Sequence, residues 1–305
     1  MDTGLRRFLW TALVLGATAL PAYYALAVHS PQPAGDFPLD LARIRELAES
    51  LPGSKPTEVR YETVMSMRFT EAMLMAGDPW RRTSMPVYSY QLVFPEQTLI
   101  VDTALDRATA KPDFIIDTFD EAAYQRMNAA MENAAQIVIT HEHMDHIGGI
   151  AAHPRLAQIL PAVRLTAEQL GNPRGMEPAR LPAAAMQGYA PLRYDGLLAL
   201  APGVVLIKAP GHTPGSQMVY VRRADGRELL LLGDVSWRRR NLEHVRERPL
   251  FMTLLIGEDR QAVLAEFKAL HALMESEPAL ALVPGHDGPA VQKISEAGLL
   301  QAGFR

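Results

Sequence analysis

Thr140-His141-Glu142-His143-Met144-Asp145-His146-Ile147-Gly148-Gly149 packs four side chains able to bind a metal into six residues. The apolar run Gln136-Ile137-Val138-Ile139 precedes it and reads as a strand, so the motif begins where a strand ends. His141 and His143 are two apart and share a face of extended chain. The turn that follows lets Asp145 and His146 point back from another angle, so a single loop can address two metals. Imidazole and carboxylate suit zinc first, with manganese or iron as alternatives, and a catalytic ion needs about three protein ligands and a position for water.

Three later residues repeat the arrangement. His212 follows the apolar run Val204 to Ile207 through Ala209-Pro210-Gly211, Asp234 follows Leu229 to Leu232 through Gly233, and His286 follows Ala279 to Val283 through Pro284-Gly285. Layered α/β folds collect their sites at strand ends, so four strand ends bearing His or Asp after a turn residue form a converging set. His29, His153, His244 and His271 lack that context and fit surface or packing roles.

The whole chain agrees with such a site. It has 305 residues, 48% of them apolar, enough for a full core. It has no cysteine, which excludes disulfide scaffolds, cysteine-zinc modules, iron–sulfur clusters and a thiol nucleophile. Thirty Lys and Arg against 34 Asp and Glu give a formal charge of −4, so no nucleic-acid partner is expected. The expected partner is a small-molecule substrate.

Arg6 and Arg7 precede an uncharged run from Phe8 to Val28, which reads as an export signal ending near Ala25-Leu26-Ala27 or as a retained membrane anchor. Either places the catalytic part outside the cytoplasm, in the periplasm or an equivalent space, and the second adds the membrane as a partner. The chain then divides into residues 1–29 as signal or anchor, 30–56 as linker and short helix, and 57–305 as the hydrolase domain. Strands are predicted over Val59 to Phe69, Val87 to Phe94 and Thr98 to Val101, and helices over Asp120 to Asn133 and Asp259 to Met274. No glycine-rich phosphate loop interrupts this α/β alternation.

At these residues the chain resembles the metallo-β-lactamase superfamily, whose signature is H-x-H-x-D-H followed downstream by His, Asp and His; the likeness runs from about Thr57 to His286. The resemblance implies a four-layer αβ/βα sandwich with two divalent ions at one edge. It implies that His141, His143 and His212 hold one ion, that Asp145, His146 and His286 hold the other, and that Asp234 bridges them. Asp102, in Ile100-Val101-Asp102-Thr103, would orient ligands without binding metal. The expected reaction is hydrolysis of a small ester, thioester or lactone by a hydroxide shared between the ions, with Asp145 or Asp234 moving the proton.

Class B1 β-lactamases have Cys where this chain has Asp234, and diiron oxygen reductases of the fold have Glu where it has His143, so both branches are excluded. A bridging Asp resembles glyoxalase II, the acyl-homoserine lactonases and the phosphodiesterase branches. The lactonases carry Tyr three residues past that Asp; here it is Trp237, whose N–H donates but does not titrate. Trp237, Arg238, Arg239 and Arg240 are candidates for a substrate rim, which would favour a phosphodiesterase if the arginines face the ions. Gly171 to Leu192 reads as an insertion that either cradles an acyl chain or covers the core. A membrane-tethered metal-binding module without activity is the alternative outside enzymes.

Overall fold

Runs of apolar residues with both faces buried place the central strands between two packed layers. The computed structural model describes residues 3–305, less the side chains of Leu5, Phe8, Leu9, Ala12, Val14 and Leu15. Its strands are β1 (Glu58–Thr70), β2 (Arg82–Val93), β3 (Thr98–Val101), β4 (Ile116–Phe119), β5 (Gln136–Val138), β6 (Leu197–Ala201), β7 (Val204–Lys208), β8 (Gln217–Arg222), β9 (Glu228–Leu231), β10 (Ala281–Val283) and β11 (Gln301–Ala302). One sheet runs β11-β1-β2-β3-β5 with β4 beside β1, and the other runs β10-β9-β8-β7-β6. The helices are α1 (Thr3–Tyr23), α2 (Leu41–Ala48), α3 (Glu71–Leu74), α4 (Glu121–Glu132), α5 (Met144–Ala151), α6 (Leu156–Ile159), α7 (Ala167–Gly171), α8 (Arg239–Glu243), α9 (Leu250–Ile256), α10 (Arg260–Ser276) and α11 (Gly288–Glu296).

Val204 and Leu206 of β7 and Leu229 and Leu231 of β9 face inward, against Leu99, Val101 and Val138 of the first sheet. Their neighbours Val205, Ile207 and Leu230 face outward onto Phe267 and Leu270 of α10 and Ile44 of α2. On the far side Ile100 and Ile137 meet Met127 and Met131 of α4 and Ile147 of α5. The resulting order of helices, sheet, sheet and helices is the four-layer sandwich expected from the motif. Burying both faces explains the continuously apolar reading of β7, β8 and β9.

The predicted helices gain their N-terminal boundaries from caps: Asp120 accepts from the Ala123 N–H, and Asp259 accepts from the Gln261 and Ala262 N–H groups. The last residues of the segment read as signal or anchor, 27–29, and the first part of the linker after them are bonded to the domain. Gly77 N–H donates to the Ala27 carbonyl (2.9 Å), Arg246 Nη2 to that of Val28 (2.6 Å) and Arg260 Nη2 to that of His29 (3.1 Å). Further along, Ala34 N–H donates to Gln261 Oε1 (3.0 Å) and Asp36 pairs with Lys268 (2.7 Å). Of the 1–29 segment, Met1 and Asp2 lie outside the described residues; among those described, no helix is long and apolar enough to cross a membrane, so the anchor expectation gains no support. The Gly171 to Leu192 insertion covers the core: Met176 and Ala179 are buried in it, and the Tyr189 hydroxyl bridges Leu165 N–H and the Val163 carbonyl.

Candidate metal centre

Four strands deliver the predicted residues to one edge of the sandwich. β5 runs out into Thr140 and His141, and α5 starts at Met144 with His143 at its N-cap, which turns Asp145 and His146 back toward the strand end. Past β7 comes His212, past β9 a single 3₁₀ turn Gly233–Val235 carries Asp234, and past β10 comes His286. The turns are tight: a Cβ on Gly285 would lie 2.6 Å from Asp234 Oδ1 and 2.7 Å from the Gly233 carbonyl oxygen. Glycine there lets the loops after β9 and β10 touch.

The side chains form two facing groups, His141, His143, His212 and Asp234 in one and Asp145, His146 and His286 in the other. His143 Nδ1 lies 3.0 Å from both His141 Nε2 and His212 Nε2. Asp234 Oδ2 is 3.7 Å from His141 Nε2 and 3.5 Å from His212 Nε2, while its Oδ1 is 3.3 Å from His146 Nε2 and 2.9 Å from His286 Nε2. Asp145 Oδ2 stands 3.7 Å from each of those last two nitrogens. One carboxylate therefore presents an oxygen to each group.

The donors fit metal ions. His146 Nε2, His286 Nε2 and Asp234 Oδ1 are buried without a hydrogen-bond partner, although His286 Nε2 and Asp234 Oδ1 are only 2.9 Å apart. That pair is close enough for an ion pair yet makes no aligned hydrogen bond. Unpaired buried polar atoms are costly, and a shared cation satisfies all three together. Ligands on a tetrahedral ion with bonds of ~2.05 Å lie about 3.3 Å apart, close to the spacing of the three imidazole nitrogens around His143.

Electrostatics agree. Burial, with His212 adding to it, pushes His143 down to about 4, and burial with His146 holds His141 well below its usual range, so both offer neutral lone pairs. Around the other group burial also opposes charge, but Asp102, Asp145 and Asp234 outweigh it and hold His146 up, as Asp234 and Asp145 do for His286. Asp234, despite its burial, is held well below the carboxylate range by His286, His146 and His141. This pocket of carboxylates calls for positive charge.

The remaining ring nitrogens are fixed from behind. Asp102, in the left-handed region at φ 61° after β3, accepts from Thr140 N–H (2.6 Å) and Thr140 Oγ1 (2.9 Å), and its Oδ2 lies 2.9 Å from His146 Nδ1. That is the orienting place expected for Asp102. His286 Nδ1 donates to the Pro86 carbonyl (2.7 Å).

The metallo-β-lactamase superfamily model matches residues 82–286, which span this whole ligand set. The chain belongs to the metallo-β-lactamase superfamily. It is a metal-dependent hydrolase of that fold. N-acyl homoserine lactonase of Bacillus thuringiensis is 25% identical to it over 227 residues, 68% of this chain and 84% of the relative. The probable metallo-hydrolase YqgX of Bacillus subtilis (strain 168) is 27% identical over 172 residues, 52% of this chain and 71% of the relative. Among solved structures, an N-acyl homoserine lactone hydrolase with N-hexanoyl-L-homoserine at its catalytic metal center superposes with a TM-score of 0.60 at 18% identity, over 78% of this chain and 96% of its own. A probable metal-dependent hydrolase from Staphylococcus aureus gives 0.61 at 10% identity, over 77% and 91%. At these identities the structures share the fold.

The candidate rim of this superfamily member divides: Trp237 stands against Asp234, as chain distance requires, and the three arginines pair with other groups. Trp237 is 5% exposed and donates its indole Nε1–H to Asp234 Oδ2 at 2.7 Å. Arg238 donates to Thr83 Oγ1 and the Ser84 carbonyl, Arg239 pairs with Glu243 and Arg240 with Asp78. The three arginines line a cavity of about 610 Å³ that includes none of the seven metal-facing residues. Sequence reading missed Arg248 and Glu258, both fully buried behind His212 and Asp234. It also missed Glu142 as a structural residue: it accepts from Asn172 Nδ2 (2.7 Å) and Thr213 Oγ1 (2.8 Å), tying the insertion and the His212 turn to the first metal loop.

Proposed function

We propose that this chain hydrolyses a small lactone at two divalent ions, zinc foremost, with His141, His143 and His212 holding one, Asp145, His146 and His286 the other, and Asp234 spanning both. The observation that carries the reading is the meeting of two buried imidazole nitrogens, of His146 and His286, with Oδ1 of Asp234, none of the three hydrogen-bonded, on a carboxylate whose other oxygen faces the second group. The ions would supply a hydroxide nucleophile near neutral pH and stabilise the oxygens that gain charge. The protein holds the geometry: Asp102 and the Pro86 carbonyl fix the tautomers of His146 and His286, so their Nε2 lone pairs face the centre. Asp145, partly exposed at the edge of the set, is placed to accept and pass on a proton. Support for the lactone comes from the lactonase relatives, and the pairing of Arg238, Arg239 and Arg240 with other groups gives an anionic phosphodiester no cationic rim.

Purified full chain loaded with zinc or manganese should open acyl-homoserine lactones, releasing a proton that an indicator follows, and should lose that activity to a chelator and regain it with metal. Faster turnover of a phosphodiester or a β-lactam would refute the substrate assignment. We also propose that the chain is exported, on the strength of Arg6 and Arg7 ahead of the apolar run. A reporter active only outside the cytoplasm, fused after Pro38, should be active; activity of a cytosolic reporter alone would refute export.

A further inference from the structure

One buried ion pair grips two ligands of the same metal position. Glu258 lies just past Gly257, the left-handed cap of α9, and just before the Asp259 cap of α10. Its Oε1 accepts from His212 Nδ1 at 2.5 Å, from Arg248 Nε at 2.8 Å and from Arg248 Nη2. Arg248 Nη2 also donates to the backbone carbonyl of Asp234 at 2.7 Å, and its guanidinium carbon sits 4.4 Å from the centre of the Trp237 ring. The indole in turn donates to Asp234 Oδ2, the oxygen that faces His141 and His212. His212 Nε2 points at His143 and Asp234, so Nδ1 carries the proton. The 3.1 Å approach of Arg248 Nη2 to that nitrogen is then two donors meeting at one Glu258 oxygen.

The opposite group is held by other means: His146 by Asp102 and His286 by the Pro86 carbonyl. A carboxylate behind an imidazole fixes the ring and raises the basicity of the ligating nitrogen, typically worth 10–100-fold in metal affinity.

We infer that Arg248 and Glu258, with Trp237, are positioning residues that set the affinity of the His141–His143–His212 position separately from that of its neighbour. This rests on the two-ion reading above. Metal-free full chain would be titrated with zinc against a chromophoric chelator, and with cobalt, whose visible absorption reports coordination of each ion. Wild type should bind two ions. Glu258→Gln should weaken one by 10–100-fold and change its cobalt spectrum, with the other affinity moving less than threefold. Because Glu258→Gln leaves Arg248 buried without its partner, the neutral double variant Arg248→Met/Glu258→Gln is measured beside it. A purely structural role predicts two wild-type affinities in that variant, and positioning predicts the same single-site loss. Equal weakening of both ions, or of neither, overturns the inference while the two-ion reading stands; wild type binding fewer than two ions overturns both.

Discussion

Asp234→Ala should leave the protein with fewer than two divalent ions per chain after reconstitution and should lower hydrolysis by about a thousandfold or more, the equivalent of roughly 4 kcal/mol in the barrier. Its two oxygens face the two donor groups separately, Oδ2 toward His141 and His212 and Oδ1 toward His146 and His286. It is the one carboxylate of the set with an oxygen toward each group, so its loss should weaken both positions. The fold should persist, because Asp234 is a buried carboxylate whose deletion leaves the strands of both sheets paired. Elemental analysis of the dialysed variant, with circular dichroism as the control, reads the result. Two tightly held ions with wild-type turnover would contradict the assignment of Asp234.

Gly149→Ala should cost at least about 3 kcal/mol and lower the melting temperature by about 6 to 12 °C, or prevent soluble expression altogether. In an exposed helix the same change stabilises by up to about 1 kcal/mol, so the expected sign is reversed. The reason is contact: a Cβ at Gly149 would stand 2.1 Å from the Thr103 carbonyl oxygen and 2.9 Å from both Thr103 Cβ and Met127 Cε. Backbone cannot yield as a side-chain tip does, so α5 would have to lift from the loop after β3. Asp145 and His146 occupy the first turn of that helix and would move with it. Metal affinity should therefore fall alongside stability. Gly171→Ala, at the end of α7 with nothing within 4 Å of the added carbon, is the control expected to change neither. A Gly149→Ala protein that melts with wild type would show that α5 does not rest on that loop.

Much of the site is legible in the sequence because its residues carry two marks at once, a ligand chemistry and a place just beyond an apolar run. His212, Asp234 and His286 each show both, and the structure brings them to the edge where His141 and His146 stand. Asp234 was also expected to lie between two groups, and its oxygens divide between them. The strands that went unread lack such marks. β4 is four residues, none buried, with Asp117 and Thr118 at its centre; β6 is Leu and Ala without a β-branched residue, and is a strand because β7 pairs with it. Glu258 had no mark at all: a carboxylate at a helix boundary is ordinary, and its role comes from the fold bringing it across 46 residues to His212. Trp237 is a different case: chain distance keeps it close to Asp234, and its indole N–H reaches that carboxylate. Chain distance does not say which way a side chain faces, so the burial of the indole had no mark in the sequence.

The ordered segment after the N-terminal helix changes what that helix can do to the rest of the molecule. The segment is fastened to the domain at Ala27, Val28, His29, Ala34 and Asp36. Three of those fastenings end on Arg260, Gln261 and Lys268 of α10. Asp259, the cap of that helix, donates its N–H to the Gly211 carbonyl beside His212 (2.9 Å). The segment that follows α1 is thereby tied, through α10, to the turn that carries a candidate metal ligand, so trimming it back past Asp36 would strip contacts from the helix that backs His212.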